Sequence, residues 1–85
     1  MGQEHFLDAT DMEAPAPLQA ALAVLESLPA GDYLRLLIKR DPIFLYPILL
    51  VQGFEHETHS RSQENYEVLI WHKDDRVAEQ AAHNN

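Results

Sequence analysis

Apolar residues recur along this chain with two spacings, and the spacing changes wherever prolines and glycines fall. Phe6-Leu7, centred in His5 to Ala9, precedes a polar turn and reads as a first strand. Leu18, Ala21, Leu22, Leu25 and Leu28 then fall at helical spacing and give one apolar face, with Gln19 and Glu26 off it. Pro15 and Pro17 fit only the first turn of that helix, where backbone N–H groups have no intrahelical partner. Asp11 and Glu13 put negative charge near its positive end. Leu28-Pro29-Ala30-Gly31-Asp32 stops it.

From Tyr33 to Arg40 the period is two. Leu34, Leu36 and Ile38 share one side of a strand, and Tyr33, Arg35, Leu37 and Lys39 the other. Asp41-Pro42 marks a turn or helix entry, and Ile43 to Gln52 predicts a second helix stopped by Gly53. Pro47 requires that this helix start near Leu45 or have distorted first turns. Phe54 to His59 predicts a strand of mixed character, Ser60 to Glu64 a polar turn, and Asn65 to His72 a strand rich in β-branched and aromatic residues. The last two strands form a hairpin. Lys73 to Asn85 is polar with several alanines and reads as a frayed or disordered tail, with a helical turn as the alternative.

The predicted order is β-α-β-α-β-β. Right-handed crossovers place both helices on one face of the sheet. The expectation is therefore an α+β fold, a two-layer α/β sandwich with two helices on one face of a four-stranded mixed sheet and the other face bare. The 85 residues make one domain, 5–73, with a lead at 1–4 and a flexible tail at 74–85. A domain of this size buries only about 60% of its unfolded surface, so a groove or sheet face is a more natural site than an enclosed pocket.

Fourteen acidic and six basic residues give a net charge of −8. That disfavours nucleic acid, whose phosphates are neutralised by Lys and Arg, and an anionic membrane surface. The longest apolar run, Ile43 to Val51, is shorter than the ~20 residues of a membrane span and is broken by Pro47. With no basic and apolar leader visible and no cysteine, the chain reads as cytoplasmic. The missing cysteine also removes thiolate metal ligands and any sulfur nucleophile.

Several landmarks together resemble a known family. They are Leu7-Asp8-Ala9, Glu13-Ala14-Pro15-Ala16-Pro17, Leu28-Pro29-Ala30-Gly31-Asp32, Asp41-Pro42 and Gly53-Phe54-Glu55-His56-Glu57. Over residues 5 to 72 the chain resembles the TusA/SirA family of small bacterial sulfur carriers. It more closely resembles a TusA-related group of bacterial domains of unknown function that lacks the cysteine. The family carries a Cys-Pro-x-Pro motif at the first helix mouth, and its cysteine accepts a persulfide. Here the motif reads Ala14-Pro15-Ala16-Pro17, and an alanine methyl group cannot carry sulfur. The resemblance implies the fold but not sulfur transfer by this chain.

Three candidate sites follow. The helix mouth at Ala14, Pro15 and Pro17 could attract a small anion, although the two prolines remove donors. The bare sheet face gathers Tyr33, Arg35, Leu37, Lys39, Leu69 and Trp71, with Phe6 as a possible neighbour, and is the expected site for a protein partner or a homodimer; the alternative is that the C-terminal tail covers it or that Leu69 and Trp71 pack at an edge. His56 and His59, with Glu55 or Glu57, are weak candidates for a metal; three apart on a strand, the two histidines fall on opposite faces. No cofactor is implied. Ser27, Ser60 and Ser62 lack a nucleophile context, so no enzyme is expected. The leading expectation is a non-catalytic protein-interaction or small-ligand-binding module. The alternatives are an accessory or scaffold for sulfur-relay or redox proteins, and a His/carboxylate metal-binding module.

Overall fold

The computed structural model describes residues 2–61 and 65–84. Residues 62–64 of the predicted turn, and Ser62 with them, lie outside the described residues. The elements are β1 (Glu4–Asp8), α1 (Ala16–Glu26), β2 (Tyr33–Ile38), α2 (Leu45–Gln52), β3 (Phe54–Ser60), β4 (Tyr66–His72) and α3 (Arg76–His83). The strands form one sheet in the order β1-β2-β4-β3. β1 pairs parallel with β2, while β4 runs antiparallel to both β2 and β3. This is the mixed four-stranded sheet expected from the sequence, with α1 and α2 on one face.

The period-two pattern of β2 divides the sheet. Leu34, Leu36 and Ile38 face α1 and α2, and join Ala21, Leu25, Leu28, Leu45, Leu49, Phe54, Val68 and Ile70 in the main core. α1 contributes Pro17, Ala21 and Leu25 at four-residue intervals. It ends at Glu26, two residues before the predicted end, because Ser27 and Leu28 donate their N–H groups to Val24 and Leu25 in tighter three-residue turns. Leu28 is nonetheless buried.

α2 starts at Leu45, so Pro47 falls in its first turn, where a missing N–H costs nothing. Gly53 closes the helix at φ 85, a left-handed conformation that glycine adopts without strain, and donates its N–H to Leu49 and Leu50.

The structure departs from the expected layout at both ends. Residues 76–83 are not a flexible tail but α3, which lies on the sheet face expected to be bare. Asp75 caps it, accepting the Ala78 N–H at 3.1 Å through Oδ1 and the Gly31 N–H at 2.6 Å through Oδ2. The same carboxylate therefore starts the helix and ties it to the α1–β2 turn. Those hydrogen bonds, Gly31 first, hold the Asp75 carboxyl below its usual range. Ala78 and Ala82, four apart, pack on Tyr33, Leu69 and Trp71 as a second small core. Residues 2–4 likewise belong to the domain rather than to a lead. Glu4 belongs to β1, Gln3 donates its N–H to Asp32 at 3.0 Å, and Gly2 runs so close to α3 that a Cβ there would sit 2.3 Å from that of Ala81.

Candidate functional site

The expected sheet-face site is assembled by the fold but covered. Tyr33 and Trp71 are direct cross-strand partners, as are Arg35 and Leu69. Tyr33, Leu69 and Trp71 lie under α3, Trp71 being only 3% exposed. The Trp71 indole N–H has no hydrogen-bond partner among the described residues, while its ring meets His83 edge-on at 5.5 Å. The Tyr33 hydroxyl donates to Glu4 at 2.9 Å, and burial, with that carboxylate, pushes it up to about 12. Arg35 is held by Glu67 at 3.0 Å and Glu4 at 3.2 Å, with its guanidinium 4.4 Å from the Phe6 ring centroid. Leu37 is half-buried, and Lys39 lies exposed beyond the end of β2. An interface made of these six residues would require α3 to leave, which corrects the expectation of an open apolar face.

Glu67 joins this network from the edge. Its carboxylate is almost buried, and it accepts from Arg35 at 3.0 Å and from Arg61 at 3.0 and 2.5 Å. Burial pushes the carboxyl up, but the hydrogen bonds from Arg61 and Arg35 together outweigh it and leave it below its usual range.

The histidines separate. His56 stacks on Tyr46 at 4.3 Å on the α2 side of the sheet, and burial lowers its pKa. His59 lies on the α3 side, 2.6 Å from Glu57. Glu57 also receives His83 of α3 at 2.7 Å, so this carboxylate fastens the helix end to β3; the His83 contact is the main reason its carboxyl lies below the usual range. Among the described residues, no three His, Asp or Glu side chains are arranged to hold a metal ion.

The mouth of α1 is exposed at Ala14 and Pro15. Pro15 and Pro17 have no N–H, and Ala16 donates its own to Glu13 at 2.9 Å. Among the described residues, no side chain caps the helix. The acids predicted to complement it do not act as caps; Asp8 instead closes the preceding turn by accepting from Thr10. The mouth is poor in donors for an anion.

The face that the sequence reading passed over is the outside of α2. Leu45 and Leu49 point into the core. Tyr46 pins the helix to β3, its hydroxyl bonded to Asp41 at 2.5 Å and Thr58 at 2.8 Å, and burial pushes that hydroxyl up to about 12. The remaining apolar residues face solvent: Phe44 is 77% exposed, Leu50 77%, Val51 85% and Ile43 59%, with Pro47 exposed between them. At about 100° per residue, positions 44, 47, 50 and 51 fall within an arc of about 120°, with Ile43 adjoining. From Pro42 to Phe54 no residue is charged.

Residues 6–72 match the family described as uncharacterized conserved protein (DUF2249). The chain belongs to that family. The crystal structure of a SirA-like protein from Desulfitobacterium hafniense is similar to it with a TM-score of 0.63 and 25% identity, covering 82% of this chain and 95% of that one. No curated protein matches. These findings bear out the SirA/TusA-like fold implied by the sequence landmarks. The DUF2249 match ends with β4, so it contains α2 and its exposed face but not α3, the element that covers the second sheet face. No helix among the described residues of this DUF2249 chain is long and apolar enough to cross a membrane.

Proposed function

We propose that this DUF2249 domain is a non-catalytic protein-interaction module whose contact face is the outside of α2. One observation carries the reading: a helix apolar on all sides is fastened to the core by one side only, leaving Phe44, Pro47, Leu50 and Val51 together in solvent. A helix of this kind is normally buried all round. A contiguous exposed apolar patch on a soluble domain commonly marks a contact surface. The absence of cysteine agrees with a role other than sulfur carriage by this chain, because a persulfide requires a thiolate.

The paired substitution Leu50→Lys with Val51→Lys tests this. Both side chains already face water, so the variant is expected to keep the wild-type circular dichroism and to lose less than about 0.5 kcal/mol of stability. Its association with any partner, including itself, is expected to weaken by about tenfold or more. A folded variant that associates as the wild type does would remove α2 from the function.

A further inference from the structure

We infer that the occupant of the α2 face is a second copy of this chain, packed with its α2 antiparallel across a two-fold axis near Pro47 and Ile48. This deepens the contact-face reading and rests on it.

The charges at the two ends of the helix differ in net sign, as an antiparallel two-fold pair requires: Lys39, Arg40 and Asp41 precede it, and Glu55, Lys73 and Asp74 lie beyond its C-terminal end. Lys39 and Arg40 lie just before α2, exposed and in no ion pair with the described residues. The last turn of α2 contains no basic residue, so the partial negative charge of its C-terminal end has no cation from the helix's own last turn. In an antiparallel pair, Lys39 and Arg40 of one copy lie beside that end of the other. A parallel pair would instead set the two basic pairs against each other.

The net charge of −8 does not oppose this contact at close range, because the stretch from Pro42 to Phe54 is uncharged. At physiological salt, charges further away than about 8 Å are largely screened.

The area also favours a second copy of modest affinity. The exposed side chains of the α2 face and Ile43 present on the order of 500 Å², within the range of a monomer's largest patch. Two such faces would bury about 1,000 Å², the lower limit for a specific interface and well short of an obligate dimer. The monomer therefore stands on its own core, and the dimer forms at micromolar to millimolar concentration.

Sedimentation equilibrium of the intact chain across that range tests the inference. The mean mass is expected to rise from 9.7 kDa towards twice that value, and the Leu50→Lys, Val51→Lys variant to associate at least about tenfold more weakly. The register has its own readout. The native chain has no cysteine, so Phe44→Cys and Val51→Cys chains can be mixed in equal amounts and oxidised. Position 44 of one copy meets position 51 of the other, and the mixed disulfide is expected to exceed clearly the half of the product that random pairing of equal amounts would give. A mass of 9.7 kDa throughout, or a mixed disulfide at or below the random share, overturns the inference. If the chain stays monomeric while a cross-linker at position 50 joins it to a different protein, the second copy is wrong and the contact face stands. If the chain stays monomeric and position 50 joins nothing, both fail.

Discussion

Replacing Ala82 with glutamate is expected to unseat α3 and expose Trp71 to water. Ala82 is 1% exposed and packs with Ala78 on Tyr33, Leu69 and Trp71. A carboxylate there would be buried among apolar side chains with no partner, which costs more than the helix contributes by staying docked. It would also put negative charge in the last turn, against the macrodipole. The sheet and the main core do not depend on α3, so the expected response is local release rather than global unfolding. The loss is then limited to the docking energy of α3, on the order of 2–3 kcal/mol from the apolar area uncovered less the ordering entropy regained. Trp71 is the sole tryptophan, so its emission reports the change directly and should shift to the red with the far-ultraviolet signal of the sheet retained. Gln80→Glu adds the same charge on the exposed side of the same helix and should leave the emission unchanged. Unshifted emission from Ala82→Glu would mean that α3 does not shield Trp71 in solution.

The second large effect is at Glu67. Glu67→Ala is expected to destabilise the chain by about 3 kcal/mol, because it leaves Arg35 held on a largely buried face without its main counter-charge. The Arg35 and Arg61 hydrogen bonds both end on this carboxylate, whose side chain is only 8% exposed. Arg61 is more than half exposed, so Arg61→Ala should cost no more than about 1 kcal/mol. Urea unfolding should show the midpoint of Glu67→Ala lowered with the slope unchanged. The pH dependence has a definite sign. The folded carboxyl lies below its ordinary value of 4.5, so its contribution is fully present above that pH and is lost as the pH falls through the folded value. The difference between wild type and Glu67→Ala should therefore narrow progressively as the pH falls below 4.5. A difference that stays constant as the pH falls below that value, or none at neutral pH, would show that the network does not support the fold as described.

Most of the architecture was legible because local signals agreed with each other. Prolines at 15 and 17, the helical spacing from Leu18 to Leu28, the alternation in β2 and the β-branched run of β4 each point to the element observed. α3 was legible only as an alternative, a helical turn in a tail that covers the sheet face, and for a physical reason. Its core-facing residues are alanines, which carry almost no hydrophobic signal. Its apolar partners, Tyr33, Leu69 and Trp71, come from strands 30 or more positions away or across a turn. The local clue was Asp75 ahead of an alanine-containing run, which is a helix start whatever its polarity. The candidate contact face was hidden differently. Ile43 to Val51 is apolar without period, and an apolar run with no period reads as buried on every side. Yet so small a domain cannot cover both sides of a helix that lies over one face of a four-stranded sheet. The helix mouth and histidine candidates were visible as residue types, but their chemistry depended on what the fold gave them for neighbours. Proline rings and the Glu13 carbonyl occupy one; Tyr46 and Glu57 divide the other.

The contact face is tested most directly by placing a photoactivated benzophenone side chain at position 50 of the intact chain, and separately at Ala23, an exposed position on α1, then irradiating the cells that make it. Discrete protein adducts are expected from position 50 and none from position 23. Equal labelling from both positions, or none from position 50, would contradict it.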